Sequence, residues 1–203
     1  MLLEREDVNP DQPDTEYGRT PLLWAAESGH GGVVKILLER EDVNPNQADT
    51  RYRRTPLSLA AESGHAGVVE ILLEREDVNP NTVDTWYGRT PLAFATWRKH
   101  EWVVKILLER EDVNPNTPDS WYGRMPLSLA AENGHEGIVK LLLERNGVRA
   151  TTPDNQGQPP LSLALSRRHY GVARILRERG NVNFGIVACS GHSPLPPPTI
   201  PGD

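Results

Sequence analysis

The chain has 203 residues, of which 37 % are apolar, and carries a formal charge of −6. Such modest apolar content argues against one large closed core, and the acidic balance disfavours nucleic acid and anionic membrane as general partners. No run approaches the ~20 apolar residues of a membrane-spanning helix, and the single cysteine, Cys189, provides no intrachain disulfide framework.

Residues 1–13 open the chain. They are too acidic and too poor in apolar residues to read as a signal peptide. Met1 holds the place later taken by Ile36, Ile71 and Ile106, so this stretch reads as the end of a second helix plus a loop, a partial unit. A helix of about five residues cannot stand alone. We therefore expect further chain upstream, with a minimal natural cap as the alternative.

Residues 14–48 form the first full unit. The polar run 14–19, with Gly18, predicts a tight turn. Thr20 is a good N-cap and Pro21 suits the first helical position, where its missing N–H costs nothing. Leu22, Trp24, Ala25 and Ala26 predict a short helix with a small-residue face, stopped at Gly29. Val33, Val34, Ile36, Leu37 and Leu38 have the spacing of a second, more apolar helix. Val43 reads as an inward anchor before the loop at Asn44 and Pro45.

The same pattern then returns every 35 residues. LEREDVNP occurs at 3–10, 38–45, 73–80 and 108–115, and Thr20-Pro21-Leu22 recurs at 55–57 and 90–92, as Met125-Pro126-Leu127, and as Pro159-Pro160-Leu161 after 34 residues. Self-similarity at this period predicts a solenoid of stacked supersecondary units, an open surface rather than an enclosed pocket. The units fall at 14–48, 49–83, 84–118, 119–153 and 154–183, the last as a C-terminal cap.

The frame D…G-x-T-P-L…A-A…G-H…V-V-x-x-L-L…D-V-N, complete at 14–44, resembles the ankyrin repeat over roughly residues 1–183. It is also similar to the near-identical tandem ankyrin arrays of large fungal proteins. The resemblance implies an all-α, ankyrin-type solenoid of helix-turn-helix units with turn or hairpin fingers. This chain departs from the family in unit length and in lacking the histidine after T-P-L, where Leu23, Ser58, Ala93, Ser128 and Ser162 stand. Thr20 and its equivalents are thus expected to cap alone. Met125 and Pro159 lack the hydroxyl, and a lost cap costs about 1 kcal/mol, so the last two units should be locally weaker.

Arg177 replaces the second leucine of the Leu37-Leu38 pair, among Arg167, Arg168, Arg174 and Arg179. This cluster reads first as solvation of an array end and second as a basic docking site for an acidic partner. Residues 184–203 form a Pro-rich segment, expected to be extended and disordered. Its Pro194 and Pro197 fit P-x-x-P, but no flanking Arg or Lys supports more than a plain tail.

Candidate chemistry is sparse. His30, His65, His100, His135 and His169 align between units, yet stacked helices sit ~8–10 Å apart and zinc–nitrogen bonds are ~2.0–2.1 Å long. We read them as bonding the turn backbone, and expect no metal and no cofactor. No nucleophile–base pairing or glycine-rich phosphate loop is present in the sequence, so no enzymatic activity is expected.

Comparison between copies singles out a recognition surface. Tyr17, Tyr52, Tyr87 and Tyr122 are constant, which suits packing between adjacent turns first and partner contact second. The preceding residue varies: Glu16, Arg51, Trp86, Trp121. The third unit adds Trp97, Arg98, Lys99 and Trp102, the last beginning a second helix and expected to face elsewhere. The candidate partner-binding residues are Arg51, Tyr52, Arg54, Trp86, Tyr87, Arg89, Trp97, Arg98, Trp121, Tyr122 and Arg124, rich in the types found at binding hot spots. Drift in an exposed unit is the competing explanation.

The expected function is a non-catalytic scaffold that binds an unidentified protein through the concave face of turn tips and first helices. The alternative is a sensor or spacer segment of a larger multidomain protein with no single dedicated ligand. An intracellular, cytoplasmic setting is expected, with weak end-to-end self-association through the incomplete N-terminal unit.

Overall fold

The computed structural model describes residues 9–179. The partial helix expected at Met1, the Pro-rich segment and Cys189 lie outside the described residues, as does the side chain of Arg179.

Ten helices occur among the described residues, in five consecutive pairs: α1 (Pro21–Glu27) and α2 (Gly31–Leu38), α3 (Pro56–Ser63) and α4 (Ala66–Leu73), α5 (Pro91–Trp97) and α6 (Glu101–Glu109), α7 (Pro126–Asn133) and α8 (Glu136–Glu144), α9 (Pro160–Ser166) and α10 (Tyr170–Arg179). First helices pack on first helices and second on second, giving two layers along the array. None of the described helices is long and apolar enough to cross a membrane.

One register repeats through the core. Leu22, Leu57, Leu92, Leu127 and Leu161 are buried, as are Leu37, Leu72, Leu107, Leu142 and Leu176, together with Ala25, Ala60, Ala95, Ala130 and Ala164 of the first helices. Each buried leucine contributes about 1.5–3 kcal/mol. Val43, Val78 and Val113 anchor the loops inward. On the first pair, Val33 and Ile36 stay exposed, whereas their equivalents Val68, Val103 and Ile106 are covered by a neighbour.

The first helices start where the T-P-L signal places them. The Thr20, Thr55 and Thr90 hydroxyls accept from the N–H groups of Leu23, Ser58 and Ala93, while Met125 and Pro159 provide no side-chain cap. One expectation needs correction. Thr55 does not cap alone, because the Ser58 hydroxyl lies 3.0 Å from its oxygen and takes part of the role of the missing histidine.

Each pair is preceded by a turn built on an aspartate. Asp14 Oδ1 accepts from the N–H groups of Glu16, Tyr17 and Gly18, and Asp84 and Asp119 similarly hold Tyr87 and Arg89, Tyr122 and Arg124. Successive turns are joined by a backbone bond from the residue after each aspartate to the preceding tyrosine carbonyl: Thr50 to Tyr17 (3.0 Å), Thr85 to Tyr52 (2.8 Å), Ser120 to Tyr87 (2.7 Å) and Asn155 to Tyr122 (2.7 Å). The constant tyrosines therefore sit at the joints between fingers.

Candidate functional site

The fingers and first helices place a row of aromatic rings and guanidinium groups on one side of the array. Trp86 lies edge-on to Tyr52 (ring centroids 6.0 Å), Tyr87 (6.5 Å) and Trp121 (6.3 Å). Tyr87 in turn contacts Trp121 (4.7 Å) and Trp97 (6.1 Å). Five of the residues singled out by comparison between copies thus meet in one cluster. Trp86 and Trp121 occupy equivalent positions one unit apart, so their rings join the tips of the third and fourth fingers.

Arginines are interleaved with these rings. Arg51 sits over Tyr17 (5.4 Å) and Tyr52 (5.0 Å), and Arg54 over Tyr52 (5.3 Å) and the buried Phe94 (5.0 Å). Arg89 covers Tyr87 and Trp97, Arg98 stacks on Trp97 at 4.2 Å, and Arg124 covers Tyr122 at 4.5 Å. Such contacts fix ring orientation in advance of any ligand.

The arginines divide by depth. Arg89 and Arg124 are 7 % and 6 % exposed and are committed to carboxylates of the next unit, Asp119 at 3.5 Å and Asp154 at 3.3 Å. They act beneath the surface, whereas Arg51 and Arg98 lie on it. Arg54 binds Glu62 at 2.8 Å, and Arg98 reaches the other oxygen of the same carboxylate at 3.0 Å. Arg124 and Arg167 share Glu132 in the same manner.

The third unit breaks this pattern. Trp97 stands where the others have Glu27, Glu62 and Glu132, so Arg89 stacks on an indole instead of meeting a carboxylate. Its Nε and Nη1 are buried without a hydrogen-bond partner, as is Trp86 Nε1. Burial pushes the Arg89 pKa below its ordinary value, opposed by the Asp119 charge.

An open groove of about 310 Å³ runs beside the cluster, lined by Tyr17, Trp24, Tyr52, Trp86 and Tyr87 together with Arg19, Arg51, Arg54, Glu27 and Asp49. Its first-unit wall is not among the residues that comparison between copies singles out. Trp24 is 42 % exposed, stacked under Arg19 at 4.6 Å, and its Nε1 donates to Asp14 at 2.9 Å. The available signal was that Trp24 differs from its equivalents Leu59, Phe94 and Leu129, all buried.

The remaining candidates lie apart. Trp102 is 60 % exposed on α6, in the second-helix layer, with Lys105 over its ring. His65 and His100 donate from Nε2 to the carbonyls of Glu27 and Glu62, both at 2.9 Å, stitching each unit to the one before it. Among the described residues, no group of His, Cys, Asp or Glu side chains is arranged to hold a metal ion. In the C-terminal arginine cluster, Arg167 pairs with Glu132, and Arg174 lies 4.0 Å from Glu178.

A family model described as ankyrin repeats in three copies matches residues 41–119 and 111–186, and a model of the single ankyrin repeat matches residues 17–50. No curated protein gives a match.

Proposed function

The chain belongs to the ankyrin-repeat family, a non-enzymatic interaction fold, and on that premise we propose that it captures a protein partner on the concave side of units two to four. The observation that carries this reading is the continuous Tyr52–Trp86–Tyr87–Trp121–Trp97 cluster, flanked at the surface by Arg51 and Arg98. Aromatic side chains bury large area at little entropic cost, and their orientation here is already fixed by neighbouring guanidinium groups. Trp86, Trp97 and Trp121 act as anchors. Arg51, Tyr52, Arg98 and Tyr122 form the rim, and Arg54, Arg89 and Arg124 hold the rings from below. The net negative charge elsewhere disfavours nucleic acid and anionic membranes.

The test is capture of partners from an extract of the source cells by the wild-type chain and by Trp86→Ala/Trp121→Ala. Loss of a discrete partner in the variant, with unchanged helical content, is the expected result. Equal capture by both chains would refute it. A spacer role, in which stacking alone matters, is the second reading, favoured by the nearly verbatim inter-unit bonds. It predicts no difference between the two chains.

A further inference from the structure

Charge is spread unevenly over the array. The acidic runs that end the second helices are verbatim copies: Glu39, Glu41 and Asp42 recur as Glu74, Glu76 and Asp77 and as Glu109, Glu111 and Asp112, all of them exposed. The side formed by fingers and first helices is not copied so strictly. Relative to the first unit, every charge-altering difference in the fingers, first helices and helix–helix turns of units two and three is in the positive direction. Arg51 and Trp86 stand where the first unit has Glu16, Arg53 where it has Gly18, Trp97 where it has Glu27, and Arg98 and Lys99 where it has Ser28 and Gly29. Arg51, Arg53, Arg98 and Lys99 are exposed.

Two of these cations are held against backbone preference. Arg53 and Lys99 have φ of 55° and 65°, at positions where the first unit has Gly18 and Gly29. Glycine adopts this left-handed conformation without steric cost. The two basic side chains are therefore present despite strain, and strained outliers of this kind gather at functional sites. Among the described residues, neither of them meets a carboxylate. Arg51 and Arg54 both lie over Tyr52, while Arg54 and Arg98 share the Glu62 carboxylate at 2.8 Å and 3.0 Å. Two guanidinium groups are thus matched by one negative charge. The result is an electropositive strip beside the Trp86 and Trp121 rings, on a chain whose formal charge is −6.

We infer that the partner of this face is an acidic polypeptide segment, with carboxylates on Arg51, Arg53 and Arg98 and an apolar side chain against Trp86 and Trp121. The inference rests on the concave face being a binding surface, and names the chemistry of what it takes. Complementary charge steers such a segment to the fingers, and the repeated Glu and Asp runs repel it from the second-helix ends. Nucleic acid is the other polyanion to consider, and it fits less well. Bases stack on open ring faces, whereas the rings of Tyr52 and Trp97 are covered by guanidinium groups.

The probe is a library of random peptides displayed on phage and selected on the full chain. Selected peptides are expected to be rich in Asp and Glu beside an aromatic or aliphatic residue. Their affinity should fall about tenfold or more in Arg51→Glu/Arg53→Gly/Arg98→Ser, as for the loss of three exposed ion pairs, and should weaken with added salt. Each replacement is the residue of the first unit, Glu16, Gly18 or Ser28, so the stacked fold is retained. Neutral or basic peptides that are lost in Trp86→Ala/Trp121→Ala but ignore the arginine replacements overturn the acidic chemistry and leave the concave face standing. Peptides indifferent to both variants, or no selected peptide at all, overturn the face itself. Oligothymidylate that displaces the selected peptides at equal concentration overturns the inference in favour of nucleic acid.

Discussion

Asn46 clamps the backbone of Asn79 one unit further along: its Oδ1 accepts the Asn79 N–H at 2.8 Å, while its Nδ2 donates to the Asp77 carbonyl at 2.7 Å. The same two-handed bond is repeated by Asn81 to Asn114 and Asp112, and by Asn116 to Arg149 and Gly147. Beside this ladder, Arg75 and Arg110 donate to carbonyls ending the preceding second helix, those of Leu38 and Leu73, where a cation also complements the helix dipole.

Replacing Asn81 with alanine removes two inter-unit bonds at a half-exposed site. Each contributes about 0.5–1.5 kcal/mol net, so Asn81→Ala should lower stability by about 1–3 kcal/mol in urea unfolding. Asn81→Asp keeps the acceptor but turns an oxygen on the Asp112 carbonyl, and should lose at least as much. Unfolding midpoints equal to wild type would show that the ladder is incidental.

Arg53 occupies a left-handed backbone position, φ 55°, which the other units fill with Gly18, Gly88, Gly123 and Gly157. A non-glycine residue there costs about 1–2 kcal/mol, and the entropy of a glycine returns part of it. Arg53→Gly should raise stability by about 0.5–1 kcal/mol. Gly88→Ala should do the reverse, because a Cβ there would collide with the Ser120 side chain and backbone nitrogen. A calorimetric scan of the pair checks both signs.

His135 is the histidine whose burial holds its pKa below the usual 6.5. The unfolded chain takes up the proton first as pH falls. The contribution of this residue is therefore complete above about pH 6.5 and is lost as pH drops through the folded-state value. Stability measured by urea between pH 8 and 5 should fall on the acid side, and His135→Gln should flatten that slope. A proton-NMR titration midpoint for His135 at or above the free-histidine value would contradict the assignment.

Trp97→Glu separates recognition from folding. It restores the carboxylate that Arg54 and Arg124 already have in Glu62 and Glu132, giving Arg89 a partner for its unpaired nitrogens. The charge-assisted bond, about 1.5–3 kcal/mol, offsets the lost indole contacts, so the unfolding midpoint should stay close to wild type while partner capture falls. A chain that binds as before after this change would remove Trp97 from the recognition surface.

The sequence by itself determined the period, the paired helices, the caps at Thr20, Thr55 and Thr90, and the inward Val43, Val78 and Val113. These follow from local rules, hydrophobic spacing and turn chemistry, which a copy repeated every 35 residues states several times over. It also picked out Trp86, Trp97, Trp102 and Trp121, which differ between copies. Only the tertiary structure decided which of them meet, that Arg89 and Arg124 lie beneath the surface, and that Trp24 helps wall a groove. Those outcomes depend on stacking, because whether a side chain at a given position is covered, paired or open is set by the residues one unit away, and no local pattern encodes that neighbour.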